Sequence, residues 1–411
     1  MSYRDLARAT RFAVFPIGFV ARLPYAMTPL ATLLLLQQST GSYAFAGAAA
    51  AAQSLAIGAG GIVVGRLADR TSIRRLGLFM AIANAIALTG LLAATLADRH
   101  VLFAAAVLVG ATQPQVGPLI RVHWSYLARS RPARPGLVTT ALAYEAAADE
   151  ASFIAGPAVV GTVAAASAPV PAGAPLTACI VLLLAAAVPL AMLYETAPEP
   201  TPARTSTAPL PRAGVAALCA AMAIMGAVFG SVQVGVTAYA TAADNPAAGG
   251  MLYAALGVGS AVAGIGYAWL PPRVPLRTRY RLSALGLLIA MILLPAGGGP
   301  LPLVVVVLVA GFAVAPHLIS IYALTERLAP TRIATTMTIV CAAGPIGTAV
   351  GQSLAGMLVE QFGHRAPFLL PPVLAVAALG LTRTKWIIST ERNSAPVADV
   401  ELPTEQAASR G

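Results

Sequence analysis

Hydrophobic and polar positions do not alternate over short periods along this chain; they segregate into long uncharged runs separated by brief clusters of charge. The runs are Leu23 to Gly65, Leu76 to Ala97, Val101 to Ile120, Ala151 to Tyr194, Ala213 to Ala243, Asn245 to Pro272, Leu282 to Thr325, Ile333 to Val359 and Ala366 to Thr382. A helix needs about 20 apolar residues to cross the hydrocarbon core of a bilayer. The first, fourth and seventh runs are twice that length, so each predicts two helices and a turn. Turn chemistry falls where it is needed, at Gln37 to Ser42, at the Pro/Gly/Ala stretch from Ala165 to Pro175, and at Pro295 to Pro300. With the first and fourth runs extended backwards through the charges just before them, the pattern predicts an all-α membrane protein of twelve transmembrane helices.

The arginines set the expected orientation. With the N-terminus in the cytoplasm, the inner side holds 23 of the 26 basic residues, spread over seven segments, with Arg99 and Arg365 outside and Arg22 within a helix. Lys and Arg in short loops mark the cytoplasmic side, so both termini are expected there in a multi-pass protein. Dispersal over seven segments also explains the net charge of +11 without a nucleic-acid groove. With 25 arginines and one lysine, the composition points to a high-GC bacterium and hence to its plasma (inner) membrane. The first apolar segment runs past signal-peptide length and lacks a small-residue cleavage site, so no cleaved leader is expected.

At 58% hydrophobic and 10% charged residues, the composition excludes an ordinary water-soluble globule. Cys179, Cys219 and Cys341 fall in three different predicted helices without metal-ligand spacing, so they read as packing residues. No metal or cofactor is expected. No H-E-x-x-H, G-x-S-x-G or nucleotide-loop motif occurs, which argues against an enzyme.

The Pro- and Thr-rich segment 195–212 lies near the midpoint of the helices and reads as a flexible cytoplasmic linker. It divides residues 1–194 from residues 213–386, two six-helix halves; residues 387–411 read as a disordered cytoplasmic tail. Ala155-Gly156-Pro157 in the fifth helix recurs as Ala343-Gly344-Pro345 in the eleventh, and Val107-Leu108-Val109 in the fourth as Val307-Leu308-Val309 in the tenth. Such pseudo-symmetry predicts a cavity between the halves and rocking of one against the other.

The stretch Gly65-Arg66-Leu67-Ala68-Asp69-Arg70-Thr71-Ser72-Ile73-Arg74-Arg75 after the second helix resembles the signature G-x-L-A-D-R-x-G-R-[RK] of the major facilitator superfamily. Ser72 and Ile73 depart from it. The resemblance implies the major facilitator fold and a cytoplasmic gate, in which Asp69 approaches the N-terminus of helix 11, Arg70 and Arg74 complete a charge network, and Gly65 permits close helix approach. In the fifth helix Gly156, Pro157 and Gly161 resemble G-x-x-x-G-P-x-x-G-G of the exporting, antiport-type members, with Ser152 and Val160 replacing two glycines. A bend there is implied. The arginine usual in the family's fourth helix is replaced by Ala106. Helices 1, 4, 7 and 10 line the cavity in this family, so Tyr25, Gln113, Gln115, Gln233 and His317 become candidate substrate contacts by resemblance.

Charges inside the membrane are costly and normally face a bundle interior or a watery cavity. Glu145 and Asp149 share one face of helix 5 at a spacing of four, about 12 and 18 Å from its cytoplasmic end at 1.5 Å per residue; Glu150 points elsewhere. Arg22 in helix 1 stays charged and needs a counter-ion, for which the helix 5 carboxylates are the candidates. They can serve as proton carriers, as a static ion-pair lock, or as a cation site. The resulting expectation is a monomeric secondary transporter in the lipid bilayer, exporting a small organic compound against protons. Uptake of a nutrient by proton symport is the alternative within transport, and a membrane sensor or enzyme the alternative outside it.

Overall fold

The computed structural model describes residues 12–68, 71–130, 137–166, 173–194, 211–267, 274–297, 302–328 and 333–383. The described segments are helical almost throughout. In chain order the membrane helices are α1 (Val14–Thr40), α2 (Tyr43–Ala68), α3 (Ile73–Ala94), α4 (Arg99–Ala111 and then Val116–Ser130), α5 (Leu137–Ala166) and α6 (Ala174–Leu182, a π-helical Leu183–Ala187, and Val188–Leu193). They continue with α7 (Arg212–Ala242), α8 (Ala248–Tyr267), α9 (Leu276–Ile292), α10 (Leu303–Leu328), α11 (Ile333–Phe362) and α12 (Ala366–Leu369 as a 3₁₀ turn, then Leu370–Leu381). Ten of these spans are long and apolar enough to cross a membrane. The other two are α5, which carries three carboxylates in mid-helix, and the shorter α12. Of the predicted linker only Pro211 and Arg212 are described, Arg212 being the first residue of α7, and the predicted tail lies outside the described residues.

In α4 the predicted continuous span is broken. Pro114 disfavours helical backbone at Gln113, and residues 113–115 are non-helical before helix resumes at Val116. Asn84 of α3 supports the break, its Nδ2 donating to Val109 O at 2.8 Å and to Thr112 Oγ1 at 3.0 Å. Prolines elsewhere stay within helices, as membrane helices tolerate when nearby groups satisfy the backbone. One turn after Pro24 and Pro316, Thr28 Oγ1 and Ser320 Oγ donate to the prolines' own carbonyls at 2.5 and 2.7 Å; the carbonyls that lose a helical N–H are those of Val20 and Phe312.

Two apolar cores form. The first gathers α1 to α6 around Met27, Leu30, Leu88 and Leu190 and reaches Val234 and Ala238 of α7 and Ala355 of α11; the second gathers α7 to α12 around Met225, Leu287, Val307 and Phe368. Among the described arginines, Arg74 and Arg75, Arg212, Arg277 to Arg281, Arg327 and Arg383 lie at the helix ends of one face. Arg99 and Arg365 lie at the opposite, arginine-poor face.

Two helix pairs, α2 with α11 and α5 with α8, join the groups. Their backbones approach closely in the arginine-poor half. A Cβ on Gly47 would lie 2.6 Å from Gln352 O, one on Gly356 2.5 Å from Tyr43 O, and one on Gly161 2.8 Å from Ala247 O. Such approaches are the normal basis of packing in lipid, where apolar burial drives little association. At Gly65, toward the arginine-rich face, a Cβ would meet nothing within 4 Å, so the close approach implied at this glycine is not made in this conformation.

Gly156 and Gly161 face opposite ways. A Cβ on Gly156 would stand 2.7 Å from Ala26 Cβ and 3.1 Å from Ala26 C, so this glycine seats α5 on α1. Gly156→Val is expected to push α5 off α1 and destabilise the protein by about 1–3 kcal/mol, read as a lower thermal unfolding midpoint in detergent.

Candidate functional site

The seating of α5 on α1 brings the deep charges together. Arg22 and Glu145 each lie eight residues from the arginine-rich start of their helix, so parallel helices hold them level. The Arg22 guanidinium pairs through Nη2 with Glu145 Oε2, donates from Nε to Asp149 Oδ1 at 2.7 Å, and donates from Nη1 to Gly18 O at 2.8 Å. Arg22 and Glu145 are buried, at 3% and 0% exposure. Asp149 retains 29%, and its second oxygen pairs with Arg121 Nη2 of α4, which is 42% exposed.

Arg121 is a correction to the sequence reading, which counts it among the inner-face loop arginines. Val116–Ser130 continues as helix beyond the last apolar run, so Arg121 stands about 13 Å inside the helix end at 1.5 Å per residue. The cluster therefore contains two arginines against two carboxylates. Gly117, one turn before Arg121, leaves room for Asp149, whose Oδ1 would lie 3.3 Å from a Cβ there.

Glu145 is fixed on its other oxygen by Trp124, whose Nε1 donates to Oε1 at 2.7 Å. Trp124 is fully buried, stacked on Phe15 at 5.8 Å between ring centroids. Phe15 in turn meets Tyr144 edge-on at 4.9 Å, and the Tyr144 hydroxyl donates to Phe15 O at 2.9 Å. Sequence reasoning missed Trp124; the available signal was its position three residues after Arg121, which places the two on one helical face. The two carboxylates thus differ. Glu145 is fully buried and held by an aromatic wall, whereas Asp149 is partly exposed and shares its charge between two arginines.

The other candidates disperse. The Gln113 side-chain amide is buried in the α4 break without a hydrogen-bond partner among the described residues, and Gln115 donates from Nε2 to the Gln113 backbone O at 3.4 Å. Tyr25 meets Phe153 edge-on at 6.3 Å between centroids. Gln233 accepts from Gln352 Nε2 at 2.8 Å, and Gln352 Oε1 accepts from Ser54 Oγ at 3.0 Å, a buried chain linking α7, α11 and α2. His317 turns toward α9: its ring stacks on Tyr280 at 5.2 Å and its Nδ1 lies 3.2 Å from Ser283 Oγ, so it belongs to the packing of α9 on α10. Asp69 and Arg70 of the expected gate lie outside the described residues, as does the side chain of Glu150; Arg74 opens α3, half-buried.

A twelve-helix membrane bundle with paired interface helices and a charge cluster inside one half is the architecture of a secondary transporter. Residues 14–340 match the Major Facilitator Superfamily model, and the chain belongs to that family. It is a transporter and not an enzyme. Among solved structures, the nucleoside transporter NupG superposes with a TM-score of 0.70 at 17% identity, covering 93% of this chain and 99% of that one. The human organic anion transporter MFSD10 (TETRAN) gives 0.63 at 16% identity, covering 92% and 99%, and the peptide transporter POT 0.65 at 17%, covering 95% and 98%. At these identities the likeness shows the fold. No curated protein sequence matches the chain.

Removing one partner of a buried ion pair leaves an uncompensated charge and costs about 3–5 kcal/mol. Arg22→Gln is accordingly expected to destabilise strongly, and the double change with Glu145→Gln to recover most of the loss. Arg121→Gln, at a half-exposed site, is expected to cost about 1 kcal/mol or less. Unfolding midpoints of the three variants against the parent check the ordering.

Proposed function

We propose that the protein exports a small organic compound in exchange for protons, with Asp149 as the group that takes up and releases the proton. The observation supporting this choice is the asymmetry between the carboxylates. Neutralising Asp149 removes one partner of Arg121, a side chain 42% exposed, while Arg22 keeps Glu145. Neutralising Glu145 would strand the Trp124 indole N–H and require a proton to reach a fully buried oxygen. A carboxylate is a proton carrier only where both its charged and neutral forms are tolerable, and Asp149 meets that condition better.

In the cycle we infer, a proton arriving from outside neutralises Asp149 and breaks its pairing with Arg121 of α4, while Trp124 still holds α4 to Glu145. The two halves, residues 1–194 and 213–386, rock so that the cavity faces the cytoplasm. Proton release there restores the Arg22–Asp149–Arg121 bridge, and substrate binding returns the cavity outward. The contacts between helix groups in the arginine-poor half, together with the open surroundings of Gly65, fit a conformation facing the arginine-rich, cytoplasmic side. Export is preferred over uptake because of the Gly156-Pro157-Gly161 resemblance. The gate at Asp69, Arg70 and Arg74 forms part of the same reading, closing the cytoplasmic side in the outward-facing state. The solved relatives are named for nucleosides, organic anions and peptides, so they support no single substrate class.

In proteoliposomes, Asp149→Asn is expected to abolish transport driven by a pH gradient while counterflow exchange of substrate continues, since exchange needs no net proton movement. Gradient-driven transport persisting at half the parental rate or more would exclude Asp149 as the carrier.

A further inference from the structure

The pair α2 and α11 is antiparallel, so the C-terminal end of α11 stands beside the N-terminal end of α2 at the arginine-poor face. Three residues of α11 at a spacing of four meet α2 there. Gln352 O abuts Gly47, Gly356 abuts Tyr43 O, and one turn further Glu360 reaches the first turn of α2. Glu360 Oε1 accepts from Ala44 N at 3.0 Å and from the Ser42 hydroxyl. Ser42 Oγ itself accepts from Phe45 N at 3.0 Å, so it caps α2 while its one O–H donates a hydrogen bond to Glu360. The first N–H groups of a helix have no partner within it. Here a carboxylate from the other half of the chain supplies one.

We propose that Glu360 is an outer latch: its carboxylate caps α2 from across the seam and stabilises the conformation closed at the arginine-poor face. An anion at a helix N-terminus is favoured by the unpaired N–H groups and the helix dipole. Arg99, at the start of α4, adds a second positive group within electrostatic reach of Glu360; it also lies over the Phe45 ring at 5.9 Å and donates to Thr40 O at 3.4 Å. On α11's own side the charged and titratable neighbours are His364, edge-on to Tyr239, and Arg365. Every bond of the latch joins α11 to α2, so opening this face must break them all. Because Glu360 is exposed, breaking them leaves a solvated carboxylate, which suits a contact made and broken in each cycle.

The latch rests on the alternating-access reading but not on proton coupling or direction, and its test measures distance. Spin labels at Leu96 and Phe362, both exposed at the arginine-poor face on opposite sides of the seam, report its opening by electron double resonance in a background with the three native cysteines replaced. Glu360→Gln keeps the shape and removes the charge, and is expected to raise the ratio of long to short distances about two- to fivefold. Gly356→Ala places a methyl against Tyr43 O and is expected to lengthen the distance whether or not the charge matters. A Glu360→Gln distribution that superimposes on the parent while Gly356→Ala lengthens would overturn the latch. If neither variant lengthens, the two helix groups do not separate at this face, and alternating access fails together with the latch.

Discussion

Arginine cannot shed its charge inside a membrane, and the position of Arg22 therefore constrains much of the first half of the molecule. Its guanidinium is matched by two carboxylates of α5, which requires α5 to lie against α1 with its polar stripe inward. Gly156 makes that contact close enough. Trp124 and Arg121 of α4 then occupy the carboxylate oxygens left over. The desolvation penalty for such a cluster is several kcal/mol per ion, recovered only when every lone pair has a donor. The cluster is thus a poor stabiliser and a good specifier: α1, α4 and α5 have one mutual arrangement that leaves no charge stranded.

Between the two groups of helices the physics differs. There the described contacts are backbone against glycine, supplemented by the Ser54 hydroxyl on Gln352, the Tyr43 hydroxyl on Thr237 O, a few apolar side chains such as Val234 and Ala355, and one carboxylate at the rim. Such a seam packs closely without burying an ion pair, so parting it exposes little that water or lipid cannot accommodate. A rigid, charge-locked half beside a smooth seam is a mechanical basis for motion of one group of helices against the other. In this account the proton acts within the rigid half and the movement is expressed at the seam.

Much of this was legible in the sequence, and for identifiable reasons. The helices were readable because hydrocarbon length imposes a simple count on uncharged runs, and the depths of Glu145 and Asp149 in the fifth helix followed from helical rise. The signature around Gly65 pointed to the family independently of any geometry. What escaped detection depended on places where local chemistry overrides hydropathy. Pro114 breaks α4, and the helix after it runs beyond the apolar stretch, which carries Arg121 inward from its apparent loop. His317 shows the converse limit: periodicity put it on α10 but could not say which side of that helix faces α9. Helix rotation is set by tertiary packing of glycines and aromatics, and one sequence does not encode it in a readable pattern.

The central claim is that Asp149, and not Glu145, exchanges the proton. Infrared difference spectra of the reconstituted protein across an acidification step test it most directly, because a protonated carboxyl has its own carbonyl band. The account predicts a carboxyl band that appears on acidification, is absent in Asp149→Asn and persists in Glu145→Gln/Arg22→Gln. A band that survives Asp149→Asn and disappears with the Glu145 substitution would contradict it.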